Sequence, residues 1–144
     1  MTSNGILRLA SPNSDSFIAF ALPESSAKSN RKTETILLCG LSITYVIGRN
    51  AKENFDIIDE SSKKDMWFHI KNDSSCHVIA LMPPDKLTKK SLHTIIKRGA
   101  LICKQNSRFK SDKNVTIIYT HIENIAKTET VGLVMVNKHK EIIC

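Results

Sequence analysis

The reading of this chain turns on Asp65-Met66-Trp67-Phe68-His69-Ile70 and, past the polar loop Lys71 to Cys76, on His77-Val78-Ile79-Ala80-Leu81. Both runs are short and rich in apolar, aromatic and β-branched residues, so they read as two strands of an antiparallel pair. Side chains alternate along a strand. Met66, Phe68 and Ile70 therefore share one face, while Asp65, Trp67 and His69 share the other. If the loop sets His69 opposite His77, Trp67 falls opposite Ile79, and one surface collects two imidazoles, an indole and a carboxylate.

Working outward, Ile36 to Cys39, a turn at Gly40 and Ser42 to Ile47 read as a hairpin. Gly48-Arg49-Asn50 breaks it, and Ala51 to Ile58 has helical character with Asn54 inside it. On the other side, Pro83-Pro84-Asp85 reads as a helix start, an acidic residue after proline suiting the first turn. Leu92, Ile95, Ile96, Gly99 and Cys103 recur at helical spacing and are expected to face the core. A polar loop from Gln105 to Lys113 precedes a buried strand at Val115 to Tyr119. Val131 to Val136, a turn at Asn137-Lys138-His139 and Glu141 to Cys144 suggest a closing hairpin. Residues 1–34 are expected to be a low-complexity extension rich in serine and asparagine, with one apolar island at Phe17 to Leu22 and a linker-like stretch from Glu24 to Lys32. Residues 35–144 form the domain. The expected class is α+β, a largely antiparallel sheet built from hairpins with two helices packed against it.

Composition excludes several classes. The 144 residues are 41% hydrophobic and 24% charged, as in an ordinary globular domain, which argues against wholesale disorder. Apolar runs such as Val131 to Val136 fall far short of the roughly 20 residues of a membrane span. The first thirty residues hold Asp15 and no continuous apolar stretch with basic flanks, so no secretory leader and a cytoplasmic location are expected. Cys39, Cys76, Cys103 and Cys144 stand far apart with no C-x-x-C pair, which reads as reduced, mostly buried thiols and neither a zinc site nor a disulfide scaffold.

The formal net charge is +7, and it is concentrated. Residues 85–114 carry nine basic side chains against Asp85 and Asp112, a surplus of seven in one stretch. At about 100° per residue, Lys86, Lys90, Lys97 and Lys104 fall in one narrow helical sector, with His93 at its edge. No acidic residue between 86 and 111 relieves their repulsion. Such a patch attracts polyanions by counterion release, and nucleic acid is the commonest intracellular polyanion. An anionic membrane surface or an acidic protein uses the same charges, and a solvated helix face is the plainest alternative.

The strand-borne cluster has several readings of its own. Trp67 can stack a base while His69 and His77 contact phosphates. The two histidines can act as acid and base on a phosphodiester, with Asp65 as orienter. Asp65, His69 and His77 can also bind a metal, though a spacing of eight between the histidines is weak evidence and no metal or other cofactor is expected. Or Trp67 is core and the histidines bond backbone carbonyls.

Taken in order, Ile47-Gly48-Arg49-Asn50-Ala51-x-x-Asn54, then Asp65-Met66-Trp67-Phe68-His69, then Ser75-Cys76-His77-Val78-Ile79 resemble successive blocks of the NFACT-R family. Gly99-Ala100-x-x-x-Lys104-x-Asn106-Ser107, Val115 to Tyr119-Thr120, Lys127-Thr128 and Gly132 follow in the same order. That domain closes the NFACT proteins of ribosome-associated quality control and also occurs as a small standalone protein. The resemblance covers about residues 36–143. Where many multidomain members have Pro-Gly-Ser before the second histidine, this chain has Ser74-Ser75-Cys76, which is closer to the standalone branch. Residues 1–32, and the large N-terminal domain, helix-hairpin-helix and coiled coil of full-length members, have no match, so peptide tailing, tRNA recruitment and ribosome clamping do not carry over.

The resemblance implies an RNA-binding module, with Arg49, Asn50, Asn54, Asp65, Trp67, His69, His77 and Lys104 at motif positions. The charge pattern points the same way independently. The expected function is a non-enzymatic RNA-binding module connected with translation. Lys86, Lys90, Lys97 and Lys104 take phosphates, and Arg49 and Asn50 contact backbone or base edges. Trp67, His69 and His77 complete the contact set, the histidines as donors that strengthen below neutral pH. Candidate partners are tRNA, ribosomal RNA and the ribosome, with DNA left open as a competitor. The alternatives are a basic adaptor for an acidic protein and a histidine-dependent RNA-processing enzyme.

Overall fold

The computed structural model describes residues 31–144; the apolar island at Phe17 to Leu22 and nearly all of the linker-like stretch lie outside them. Strands β1 (Lys32–Leu38) and β2 (Leu41–Gly48) form the expected first hairpin, and β1 begins ahead of the expected Ile36. Cys39 and Gly40 make its turn, both at positive φ. Helix α1 (Ala51–Asp59) follows, capped by Asn50, whose side chain accepts from the Glu53 amide at 2.9 Å.

Strands β3 (Met66–Ile70) and β4 (His77–Leu81) are antiparallel with Trp67 opposite Ile79 and Phe68 opposite Val78. This is the expected register. The loop between them has no glycine; Asn72 takes the left-handed conformation at φ 59°, which asparagine tolerates better than most residues. The Ser75 hydroxyl then accepts from the Ile70 amide at 3.1 Å and closes the loop.

Helix α2 spans Lys89–Gln105 and starts later than the sequence suggests. Thr88, not Asp85, is the cap, its hydroxyl accepting from the Ser91 amide at 3.1 Å. Lys86 is consequently an exposed residue of the preceding loop, while Lys90, Lys97 and Lys104 are on the helix. Strand β5 (Thr116–His121) runs into a 3-10 turn (Ile122–Asn124) and a short strand β6 (Ile125–Lys127).

The expected closing hairpin does not form. Strand β7 (Val134–Val136) pairs with β6, and β8 (Lys140–Ile143) pairs with β5 at the edge of the main sheet. The physical reason is burial: Val134 and Val136, with Ile125, pack onto Trp67, Ile79, Ile57 and Ile58, a patch that a β7–β8 hairpin would leave wet.

Among the described residues the architecture is thus α+β, with a six-stranded antiparallel sheet in the order β1-β2-β4-β3-β5-β8 and the small β6–β7 sheet. Helix α2 covers one face. There Ile95, Ile96, Ile102 and Cys103 meet Phe68, Val78, Tyr45 and Ile117. The approach is close at Gly99, where an added Cβ would come within 2.3 Å of the Phe68 ring. On the other face α1 and the β6–β7 sheet cover Trp67 and Ile79.

Candidate nucleic-acid interface

Two sets of expected site residues occupy opposite faces of the sheet. The first belongs to α2. Lys86, Lys90 and Lys97 are exposed and Lys104 is partly buried. Among the described residues none of the four has an ion-pair or hydrogen-bonding partner. Several acidic side chains of the fold are engaged elsewhere, Asp73 by Arg108, Glu141 by Lys71 at 2.8 Å, and Asp59 by Lys127 at 2.7 Å. The helix also has no acidic residue in its first turn.

The second set surrounds a cleft of about 710 Å³ between the start of α1, the β3–β4 loop and the Val131-Gly132-Leu133 turn. Arg49, Asn50, Asn54, His69 and His77 all line it. The structure therefore brings most of the motif residues together, and it also shows what each one does. Gly48 leaves room for Asn54: a Cβ there would sit 2.1 Å from the Asn54 Oδ1. That buried oxygen accepts from the His77 amide at 3.2 Å, tying α1 to the start of β4. The Arg49 guanidinium forks onto Glu53 at 2.9 and 2.7 Å, an intrahelical-spacing pair at the mouth of the cleft. Asn50 caps α1 as described.

Trp67 and His77, expected among the RNA contacts with a core role as the alternative, are sealed, with 1% and 2% of their area exposed. Both strands lie in the middle of the sheet, and α1 with the β6–β7 sheet covers this face. Trp67 Nε1–H donates to His77 Nδ1 at 3.1 Å, so His77 carries its proton on Nε2. His69 lies flat against the indole, ring centroids 5.5 Å apart and planes within 6°, and meets His77 edge-on at 5.1 Å. The His69 Nδ1–H donates to the Ile70 carbonyl at 2.7 Å. Trp67 thus offers no face to a base; of the three rings, His69 alone is partly open to the cleft.

Electrostatics follow from burial. Desolvation, with His69 nearby, pushes the His77 imidazole down to about 3. Burial also lowers His69, opposed by its bond to Ile70 and by Asp73. Both shifts disfavour the charged imidazole, and His77 stays neutral just below neutral pH, which counts against the expectation that the rings strengthen as donors there. An acid–base role for His77 is equally disfavoured, since efficient general acids titrate near the working pH. Asp65 does not orient either histidine: its carboxylate accepts from the Ser62 and Met82 amides, both at 2.9 Å. Asp65 fastens β3 to the exit of β4.

The basic region the sequence does not single out lies at the β7–β8 turn. Lys138, His139 and Lys140 border a pocket of about 340 Å³ whose other walls come from α2, β3 and β5. These elements are far apart along the chain, so no local spacing marks the pocket.

An antiparallel sheet with one lysine-rich helix on one face and a helix-and-hairpin cover on the other defines a small α+β binding module. The family model described as the NFACT protein RNA binding domain matches residues 39–138, and the chain belongs to that family. Its curated relatives include coiled-coil domain-containing protein 25 of Danio rerio, 29% identical over 106 residues, and of Mus musculus, 27% identical over 110 residues. These alignments cover 68% and 69% of this chain and 48% and 50% of the relatives, so the chain spans about half the length of the curated relatives it matches. The C-terminal structure of the fibronectin/fibrinogen-binding protein from Streptococcus suis shares the fold, with a TM-score of 0.65 at 18% identity, covering 78% of this chain and 44% of that one.

Proposed function

We propose that this chain is a non-enzymatic RNA-binding module that holds phosphates on the flank of α2 through Lys90, Lys97 and Lys104, with Lys86 at its entrance. The observation that carries the reading is the clustering of these four lysines in one stretch, their side chains without an ion-pair partner among the described residues. Lysine is a point charge without a fixed fork, so binding is salt-dependent and weakly sequence-specific. In this proposal Arg49, Asn50 and His69 form a secondary contact region at the cleft, while Trp67, His77, Asn54 and Asp65 shape it from behind. The link to translation and ribosome-associated quality control, a tRNA or ribosomal RNA partner and a cytoplasmic location rest on the family alone.

The test is fluorescence-anisotropy titration of a structured RNA, a single-stranded RNA and a DNA duplex across a salt series. Wild type is set beside a protein carrying Lys86→Glu, Lys90→Glu, Lys97→Glu and Lys104→Glu. RNA affinity with a steep salt slope that the variant loses supports the proposal. Equal affinity and slope in both proteins contradicts it. An adaptor for an acidic protein is then read from pull-downs whose partners survive ribonuclease.

A further inference from the structure

The lysine flank of α2 is not isolated. On the opposite flank, the Tyr45 hydroxyl of β2 donates to the Ile95 carbonyl at 2.8 Å, which fixes that side of the helix toward β1 and β2. At the C-terminal end of the helix Lys104 is on the side of β8, where its charge acts on the Cys144 thiol just beyond that strand. Between this flank and β8 lies the pocket of about 340 Å³. Its size is at the lower end of ligand pockets, which run from about 300 to 1,000 Å³.

The floor is apolar, made by Met66, Leu92 and Ile96, and Tyr119 supplies an aromatic wall. At helical spacing His93 and Lys97 each stand one residue, about 100°, from the floor residues Leu92 and Ile96. Across the opening stand Lys138 and Lys140, neither with an ionic partner among the described residues. Thr120 and Asn124 also contribute to the lining, and Asn124 Nδ2 donates to Thr120 Oγ1 at 2.9 Å, which leaves the Asn124 side-chain oxygen as an acceptor without a partner among the described residues. An apolar slot with an aromatic side chain, an amide in its lining, Lys138 and Lys140 at its rim and the exposed α2 lysines beyond it suits a flat heteroaromatic ring carried on a chain of phosphates.

We propose that this pocket seats one unpaired base of a single-stranded RNA whose flanking phosphates lie on Lys90 and Lys97 on one bank and on Lys138 and Lys140 on the other. This rests on the reading of α2 as a phosphate-binding surface and adds to it a preference for unpaired over duplex RNA, because a base inside a helix cannot enter the slot.

The experiment uses the full chain and a short single-stranded RNA in which each position in turn is made abasic, or replaced by 2-aminopurine as a fluorescent reporter. Losing a stacked base is expected to weaken wild-type binding about tenfold at the seated position. The 2-aminopurine emission should change at that position alone. Leu92→Trp fills the slot and should abolish both effects while the salt slope persists. Lys138→Glu with Lys140→Glu, both on exposed positions, should weaken binding without unfolding the protein. Abasic substitutions that cost nothing anywhere, with α2 charge reversal still abolishing binding, overturn the pocket and spare the phosphate surface. An abasic penalty unchanged by Leu92→Trp also overturns it. A poly-glutamate peptide that displaces the RNA and loses its own affinity on Leu92→Trp assigns the slot to a protein partner. Wild-type protein that binds no RNA overturns both readings.

Discussion

The two faces of the sheet are made from the same strands, yet polar side chains meet opposite conditions on them. Under α1 and the β6–β7 sheet, polar atoms are buried and spend themselves on one another: Trp67 on His77, Asn54 on the His77 amide, Asp65 on Ser62 and Met82. Over α2 the polar atoms are lysine ammonium groups held in water with no partner among the described residues. Buried polar atoms must be matched because leaving one unmet costs about 1–3 kcal/mol. Exposed charges carry no such demand, and remain available to a ligand. The buried motif residues Trp67, His77, Asn54 and Asp65 accordingly serve the fold, and binding is proposed for the exposed lysines on the second.

The sharpest way to break this division is Trp67→Ala. Removing a fully buried indole should cost about 3–5 kcal/mol of stability by denaturant unfolding. Measured where the variant is still folded, RNA affinity should match wild type; a parallel loss of affinity would place the interface on the wrong face. The mirror experiment is charge reversal at Lys86, Lys90, Lys97 and Lys104. If each lysine neutralises one phosphate, near-physiological salt makes the four together worth roughly a thousandfold in affinity. The midpoint of thermal unfolding should stay near that of wild type.

Acid sharpens the comparison further. His77 has its folded-state ionisation depressed from 6.5 to about 3, so the unfolded chain binds the proton more readily. The stabilisation is therefore complete above pH 6.5 and drains away as pH falls toward 3, at up to about 1.4 kcal/mol per pH unit. His69 shifts in the same direction. Unfolding free energies measured from pH 7 to pH 4 should fall along this limb, and His77→Gln should flatten it. A wild-type limb no steeper than the variant's contradicts burial of a neutral His77. The smallest effect is expected at the α1 cap, where Asn50→Ala should cost about 1 kcal/mol and leave phosphate binding on α2 intact.

Much of this was legible before any coordinates. Alternation at Met66 to Ile70 placed Trp67 and His69 on one face, and equal spacing across the loop set the Trp67–Ile79 register. Helical spacing found Lys90, Lys97 and Lys104 on α2 and wrongly put Lys86, which precedes the cap, on the same helix. What escaped was non-local. Asn137-Lys138-His139 has the composition of a hairpin turn, so β7 and β8 read as partners; only the need to cover Trp67 and Ile79 sends β7 to β6 instead. For the same reason burial of Trp67 and His77 stood as one alternative among several, because the residues that seal them come from α1 and a sheet formed about 60 residues downstream. The start of α2 was obscured by Pro83-Pro84-Asp85, although Thr88 three residues before Ser91 is a capping signal in plain view. The pocket beside α2 had no local mark at all, its walls coming from β3, α2, β5, the 3-10 turn and the approach to β8.

The most direct test is to map where RNA touches the protein, by amide chemical-shift perturbation with a short single-stranded RNA at moderate salt. The division of labour between the faces predicts perturbed amides along Lys89–Gln105 and at Lys138 to Lys140, with those of Asn54, Trp67 and His77 undisturbed. Perturbations gathered instead around Arg49, His69, Ser74 and Leu133, with α2 silent, would contradict it and move the interface to the cleft.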